Sequence, residues 1–203
     1  MKNTFWVHNI FPTPLIHINF SKHKKFSFNF EKIKNKTNKP KNWLNEVYTS
    51  FPNISEKDKC IRNQDLKKLK KNIKEDIDVV FNELNIPTLY SMDELWYNVY
   101  NQNQSQESHS HLSELNKKNP YWSGVYYYKN CTPTIFLRED NLPLLQNFSV
   151  NMDSKLKHFY FMEYAPDVKD GDIVLFPSYL KHKTNINNNK ELKVTFSFNL
   201  YLK

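Results

Sequence analysis

Residues 171–182 read GDIVLFPSYLKH and decide most of the fold. The apolar run at 173–176 is bounded by turn residues, which is the pattern of a buried strand. Gly171 stands in the KDGD turn that enters this strand, where the backbone needs the freedom of glycine. His182 follows the strand, in a loop or at the start of the next strand. The segment therefore predicts a buried strand that ends close to a histidine.

The last predicted strand has a second informative pattern. Residues 193–202, KVTFSFNLYL, alternate polar and apolar side chains with the period of two that marks a strand. The apolar face, which includes Val194 and Phe196, must go into packing. The polar face begins with Lys193 and Thr195, so it faces surroundings that accept a cation and hydroxyl groups.

Short aromatic and β-branched runs, separated by polar turns, occupy the chain from about residue 90 onward, as in an all-β barrel or sandwich. Strands are predicted at 96–101, 107–111, 122–129, 134–139, 157–165, 171–178 and 193–202. This number of strands favours a closed β architecture. The chain has two glycines, Gly124 and Gly171, and each is expected to answer a backbone need.

The front of the chain has a helical pattern instead. At 65–85, apolar residues recur at spacings of three and four with lysines and acids between them, which predicts an amphipathic helix. A second, shorter helix is predicted at 42–49, with Trp43 in its apolar stripe. We therefore expect one domain, in which residues 1–90 form a helical support segment and residues 91–203 form the β core.

Charge and cysteine content restrict the partners and the compartment. The formal net charge is +8, but residues 1–75 carry +11 and residues 76–203 carry −3. Solvated lysines on helix faces account for the basic front, and a nucleic-acid-binding surface is the alternative. No apolar run is long enough to span a bilayer, so we expect no membrane insertion. Cys60 and Cys131 have no local pairing motif, which indicates a reducing, cytoplasmic setting.

Histidines and a lysine form the candidate site. His109 and His111 are two residues apart, so on an extended strand both imidazoles project from one face. With His182 they could hold one metal ion. A dicarboxylate co-substrate beside a metal needs a fixed positive partner and hydroxyl donors for its far carboxylate. Lys193 and Thr195 supply both.

Together these motifs resemble those of the Fe(II)/2-oxoglutarate-dependent oxygenases, in particular a family found in phages and marine bacteria. The matching pieces are FPTPL at 11–15, W-x-N at 96–98, HSH at 109–111, WSGVYYY at 122–128, GDIVLFPSYLKH at 171–182 and KVTFSFN at 193–199. They run in the family's order along nearly the whole chain. The resemblance implies a mainly β protein with N-terminal helices, in which the core is a double-stranded β-helix of the jelly-roll or cupin-like kind. It also allows the cytoplasm to be that of an infected host cell.

The resemblance implies that His109 and His182 are iron ligands. In the wider superfamily, which includes the prolyl hydroxylases, an aspartate or glutamate stands two residues after the first histidine. This chain has His111 there, so the implied ligand set is three histidines. Imidazole suits iron, but the exchange raises the charge of the site.

The resemblance also implies a binding site for 2-oxoglutarate. Lys193 and Thr195 stand where the superfamily usually has an arginine and a serine that anchor the co-substrate. Lysine offers a point charge without the two-pronged geometry of arginine. Tyr127 matches a tyrosine that donates its hydroxyl to the same carboxylate in the prolyl-hydroxylase-like branch. Asn98 and Tyr100, which fall on one face of their strand, are weaker candidates for this pocket.

The implied function is that of an Fe(II)- and 2-oxoglutarate-dependent dioxygenase, a hydroxylase that uses O2 and releases succinate and CO2. One alternative is a catalytically silent β-helix binding module, because the usual carboxylate ligand is missing. A nucleic-acid-binding or nucleic-acid-modifying protein is the other, because the front segment is basic. The fold does not select the substrate. The SGVYYY region favours a protein or peptide over a small molecule by analogy, and the oligomeric state stays open.

Overall fold

The computed structural model describes residues 13–51, 60–112, 118–138 and 162–203. The strands within them are β1 (Ile16–Asn19), β2 (Tyr48–Thr49), β3 (Tyr90–Tyr100), β4 (Trp122–Lys129), β5 (Thr134–Leu137), β6 (Glu163–Tyr164), β7 (Asp172–Pro177), β8 (His182–Thr184) and β9 (Lys193–Leu202). One α-helix, α1, spans Asn63–Glu83, and two short 3-10 helices span His23–Lys25 and Glu31–Ile33.

These strands form two antiparallel sheets. The major sheet has the strand order β1-β7-β4-β9-β3-β2, and the minor sheet has the order β6-β5-β8. The sheets contact each other through Phe136 on β5 and Phe176 on β7, whose ring centroids are 5.0 Å apart. This arrangement confirms the predicted fold class, a mainly β double-stranded β-helix with helical support from the front of the chain.

The alternation along β9 gives the major sheet two different faces. Val194, Phe196, Phe198 and Leu200 belong to the core cluster that also contains the buried residues of α1. Lys193, Thr195, Ser197 and Asn199 point to the other side, where they line a cavity. Neighbouring strands keep this division, because residues paired across strands share a face. The helix and the cavity therefore lie on opposite sides of the major sheet.

Helix α1 packs on the outer face of this sheet. Leu69, Ile73, Ile77 and Phe81 are its buried residues. The helix confirms the prediction at 65–85, with each end two residues earlier than expected. Lys74 on its more exposed side forms an ion pair with Asp78 at 2.6 Å. Among the described residues, no helix has both the length and the apolarity needed to cross a membrane.

The second predicted helix, at 42–49, is wrong. The chain forms no helix there, and its last two residues become β2, which pairs with β3. The Thr49 N–H, which a helix would direct to the Asn45 carbonyl, donates to the Asn38 carbonyl instead, and the Val47 carbonyl accepts from the Asn38 N–H. The front of the chain also adds β1 to the major sheet. The division of the chain at residue 90 stays a prediction.

The predicted strands agree with the structure where the alternation is long. β4 and β9 have the predicted ends, and β3, β5 and β7 overlap their predictions.

The strand predicted at 107–111 is wrong: only His109 pairs there, in one isolated bridge to His182. Its partner strand β8 is three residues long, and the His111 N–H donates to the Ser178 carbonyl outside β8, so the ladder does not extend. Of the strand predicted at 157–165, residues 157–161 lie outside the described residues, and β6 forms at Glu163–Tyr164. Residues 11–12 of FPTPL also lie outside the described part.

Both glycines meet the expected backbone needs. Gly171 has a φ of +101°, which other residues rarely adopt. A Cβ atom at Gly124 would overlap the ring of Phe198, so glycine is what allows β4 to lie this close to that ring.

Candidate metal centre and co-substrate cavity

The three predicted histidines come together. One potential ligand atom each from His109, His111 and His182 lies within 4.8 Å of the other two. His109 and His182 exchange two backbone hydrogen bonds of 2.9 Å, and the His111 N–H donates to the Ser178 carbonyl at 3.0 Å. The His109 and His111 rings are nearly parallel, with an interplanar angle of 16°. The pair therefore shares one face although its segment is not a strand.

Hydrogen bonds at Nδ1 select the tautomer of each histidine. Every one of the three Nδ1 atoms lies 2.6–2.9 Å from an oxygen that can only accept. The acceptors are the Glu107 carbonyl for His109, the Leu180 carbonyl for His182 and the side-chain amide oxygen of Asn199 for His111. Because the proton must sit on Nδ1, each Nε2 keeps a free lone pair. This is the donor set that an iron ion accepts.

Burial keeps these imidazoles neutral. Burial, with a smaller contribution from the neighbouring His109, lowers the pKa of His111 to about 4. It also lowers the pKa of His109, and it places the pKa of His182 well below its ordinary value of 6.5. Neutral imidazole is the form that binds metals. The site is therefore ready to bind a metal at neutral pH without first losing a proton.

A chain of side-chain hydrogen bonds orients His111. The Asn199 amide oxygen accepts from His111 Nδ1 at 2.6 Å and from the Ser123 hydroxyl at 2.8 Å. The Ser178 hydroxyl lies 2.8 Å from that of Ser123. The other two histidines bond to backbone carbonyls, so His111 alone among the three depends on a side-chain acceptor. Sequence reasoning did not single out Asn199 as a site residue, although its place on the polar face of β9 was a signal.

Replacing Asn199 by alanine is expected to weaken metal binding by roughly tenfold to a hundredfold, because His111 Nδ1 loses its acceptor at 2.6 Å and keeps only the Ser123 hydroxyl, 2.8 Å away. Titration of the metal-free protein with Ni(II) measures the affinity. Asn199→Asp keeps an acceptor oxygen and should stay close to the wild type, and Asn188→Ala on the exposed surface is the matched control. An unchanged affinity in Asn199→Ala would show that His111 does not need this partner.

Lys193 is a buried cation at the start of β9. Its side chain is fully buried, and its Nζ donates to the Thr132 hydroxyl at 2.6 Å and to the Asn185 carbonyl at 3.4 Å. Nζ also lies 5.1 Å from the ring centroid of Tyr100. Within the described ranges, no carboxylate forms an ion pair with it. Burial lowers the pKa of Lys193 to about 8. A buried ammonium without an anion is costly, and the carboxylate of a ligand would relieve that cost.

Of the remaining predicted residues, two line the cavity and one does not. Thr195 and Tyr127 pair across β9 and β4 and both line it. The Tyr127 hydroxyl donates to the Thr134 hydroxyl at 2.9 Å, and burial raises its pKa to about 12, so it stays a donor. Asn98 does not reach the cavity, because its amide oxygen accepts from Thr49 at 2.7 Å and its amide nitrogen donates to Ser197 at 3.2 Å.

The cavity itself has a volume of about 490 Å³, within the usual range of small-molecule sites. Its two ends differ in chemistry. Near Lys193, hydroxyl groups from Tyr100, Thr132, Thr134 and Thr184 line it; toward His111, it is lined by Trp43, Leu44, Phe51 and Trp96. Apart from the weaker candidate Tyr100, sequence reasoning missed these lining residues, because they come from separate strands and loops.

Over residues 94–199, the sequence matches the family described as "Putative 2OG-Fe(II) oxygenase". The match covers just over half of the chain and contains every predicted site residue. A comparison with curated proteins finds no match.

Solved structures with the same fold include HygX from Streptomyces hygroscopicus with nickel and 2-oxoglutarate bound. It is 13% identical, with a TM-score of 0.54 over 94% of this chain and 84% of that chain. A prolyl-4-hydroxylase from Pseudomonas putida is 8% identical, with a TM-score of 0.47 over 94% of each chain. A viral collagen prolyl hydroxylase from Paramecium Bursaria Chlorella virus-1 is 11% identical, with a TM-score of 0.48 over 93% of this chain and 96% of that one.

The sequence match and the fold shared with HygX agree with the geometry of the cavity, in which an imidazole cluster and a buried lysine line one space. The chain belongs to the 2OG-Fe(II) oxygenase family, whose cofactors are iron(II) and 2-oxoglutarate.

Proposed function

We propose that this chain hydroxylates a C–H bond of its substrate while it oxidatively decarboxylates 2-oxoglutarate with O2. One oxygen atom enters the substrate as a hydroxyl group, and the other enters succinate as CO2 leaves. One observation carries the proposal: His109, His111 and His182 converge in one cavity with their Nδ1 atoms hydrogen-bonded, and the same cavity contains Lys193, a buried cation for which the described residues offer no anion.

His109, His111 and His182 would hold the iron through Nε2. Bound iron supplies the reaction with O2 that side chains cannot perform, and the protein supplies binding, orientation and charge. All three imidazoles are neutral, so they leave the positive charge of the metal uncompensated. An anionic co-substrate is therefore attracted to this site more strongly than to one with a carboxylate ligand.

Lys193 would bind the far carboxylate of 2-oxoglutarate. Its ammonium lies among buried hydroxyls, which can donate to the same carboxylate and strengthen the pairing. Thr195 faces the cavity next to Lys193 on the same strand, and Tyr127 lies opposite Thr195. Lysine is a point charge, so the hydroxyls and not the cation would set the carboxylate's orientation.

Neither alternative function is favoured by the geometry. A nucleic-acid substrate would need cations around the cavity, whereas Lys193 is the one lysine or arginine among the described residues that line it. A silent binding module has no need of three histidines that are each held in the metal-binding tautomer. We therefore retain the oxygenase as the proposed function.

Anaerobic addition of Fe(II) and 2-oxoglutarate tests this function. The expected result is a visible charge-transfer band that appears only when both are present, followed by succinate formation after O2 is admitted. A folded, iron-loaded sample that shows neither the band nor 2-oxoglutarate binding would contradict the proposal.

The affinity for 2-oxoglutarate is expected to fall as the pH rises through about 8. Burial lowers the pKa of Lys193 to about that value, so the ammonium is present below it and is lost above it. Each further pH unit should weaken binding by up to about tenfold. Isothermal titration between about pH 7 and pH 9 measures the trend. Lys193→Arg keeps its charge throughout and should show a flat profile; a flat profile in the wild type would rule out Lys193 as the anchor.

A further inference from the structure

We propose that the aromatic end of the cavity binds an uncharged, apolar side chain of a peptide, and that Trp43, Phe51 and Trp96 select it. We call these three residues the aromatic wall. The inference rests on the proposed function, because it names the substrate class of the same site.

The aromatic wall adjoins the metal centre. The Trp96 ring centroid lies 6.0 Å from that of His111, and the Phe51 ring centroid lies 5.1 Å from that of Trp96. Trp96 is nearly buried, whereas Phe51 and Trp43 are half-buried. The rings therefore lead outward from a proposed iron ligand, and a group held against them would lie beside the reacting centre.

Bound 2-oxoglutarate would leave the aromatic end of the cavity free. Along β9, Lys193 marks one end of the cavity and Asn199, which contacts His111, marks the other. Trp96 pairs with Ser197, so the aromatic wall lies toward the His111 end. A ligand that joins the metal to Lys193 occupies the hydroxyl-lined end. The remaining space contains the three rings of the aromatic wall, with Leu44 and Leu112 at its rim.

Electrostatics restrict the substrate to uncharged groups. Among the described residues that line the cavity, Lys193 and Glu107 are the lysine and the carboxylate present, and no arginine lines it. The Glu107 carboxylate already accepts from the N–H groups of Leu44 and Asn45, at 2.9 and 3.2 Å. An anionic side chain would lose its hydration against the aromatic wall without gaining a partner, and a cationic one would gain only a cation–π contact beside a positively charged metal. An aliphatic or aromatic side chain gains from the same contact.

Hydrogen bonds of Glu107 connect the segment of the aromatic wall that carries Trp43 to a proposed iron ligand. Glu107 fastens the segment that carries Trp43 through its carboxylate, while its carbonyl accepts from His109 Nδ1 at 2.9 Å. The Asn45 amide adds a bond of 3.1 Å to the Ser105 hydroxyl. The position of Trp43 is therefore coupled to that of a proposed iron ligand. Such preorganisation lowers the cost of binding.

The rim favours a peptide over a free small molecule. Leu44 and Leu112 line the cavity with 81% and 49% of their surfaces exposed, so a substrate that extends beyond the cavity would cover them. Asn42, Ser108 and Ser110 add exposed, uncharged hydrogen-bonding groups that suit peptide amides. Nucleic-acid phosphates would require cations. Among the described residues, no lysine or arginine lines the rim, and Lys39, which donates to the Trp43 and Leu44 carbonyls, pairs with Glu46.

Binding to capped pentapeptides that differ only in the central residue tests the inference. The protein is loaded with Ni(II) and 2-oxoglutarate so that no turnover occurs, and calorimetry gives the affinity. Peptides with central leucine, proline or phenylalanine should bind at least about tenfold more tightly than those with central aspartate or lysine. They should also bind more tightly than the corresponding capped single amino acids, which cannot reach the rim.

The variants Trp43→Ala and Phe51→Ala should each weaken binding of the neutral peptides by about tenfold or more. Their affinities for Ni(II) and 2-oxoglutarate should not change, and Leu89→Ala, exposed outside the cavity, is the matched control. The inference is overturned if no neutral peptide binds, if charged peptides or single amino acids bind equally well, or if a single-stranded oligonucleotide competes for the site. Failure of Ni(II) or 2-oxoglutarate binding would instead count against the proposed function.

Discussion

Replacing Lys193 by methionine is expected to remove 2-oxoglutarate binding and, at the same time, to stabilise the protein. Methionine keeps the length of the side chain but lacks the ammonium that would pair with the far carboxylate. Loss of one partner of a buried charge pair costs about 2–5 kcal/mol, so the affinity should fall by roughly thirtyfold or more. Calorimetric titration of the metal-loaded variant measures this loss.

The gain in stability follows from the same burial. The pKa of Lys193 is lowered from 10.5 to about 8 in the folded protein, so folding disfavours its charged form. At pH 7 the lysine is charged in both states, and a shift of this size corresponds to a penalty of roughly 3 kcal/mol. The penalty is complete below about pH 8 and disappears as the pH rises toward 10.5. Methionine is uncharged and therefore has no such penalty, although the hydrogen bond to Thr132 is lost.

Thermal unfolding of the ligand-free protein should therefore show a higher Tm for Lys193→Met at pH 7, with a smaller difference at high pH. Lys190→Met replaces an exposed lysine and is the matched control for both measurements. If Lys193→Met keeps the wild-type affinity for 2-oxoglutarate, Lys193 is not the anchor. A lower Tm at pH 7 would instead mean that its hydrogen bonds outweigh the cost of the buried charge.

Replacing His182 by alanine is expected to abolish stoichiometric iron binding. His182 is the most buried of the three histidines, and its ring centroid lies 4.4 Å from that of His109 and 5.1 Å from that of His111. Without it, two neutral imidazoles remain, which is too few protein ligands for a stable iron site. Metal analysis after anaerobic loading and dialysis should give about one iron per chain in the wild type and nearly none in the variant.

His17→Ala is the matched control, because His17 pairs with Asp172 outside the cavity and its loss should leave iron content unchanged. His111→Asp tests the unusual ligand directly. It introduces the carboxylate found at this position in the wider superfamily, and we expect it to retain iron. If His182→Ala retains full iron, the histidine cluster is not the metal site, and the silent binding module becomes the better interpretation.

Local patterns predicted the regular elements well. The alternation in 193–202 and the spacing of apolar residues in 65–85 led to β9 and α1 within two residues, because such periods depend on which face of one element is buried. The helix predicted at 42–49 failed for the opposite reason. A more distant backbone segment, at Asn38, pairs with the Val47 carbonyl and the Thr49 N–H, which a helix would have used. The strand predicted at 107–111 failed because its partner strand is too short.

The sequence by itself determined the β core, the supporting helix and the residue types of the site. Six of the seven predicted site residues line one cavity, because their order and alternation place them on the inner faces of the strands or beside them. Tertiary structure alone decided that Asn199 orients His111, that Lys193 has no anionic partner in the described part of the chain, and that Trp96 lies beside His111. Each of these features depends on contacts between groups that are far apart in the chain. No local periodicity encodes them, because each depends on how separate strands and loops pack together.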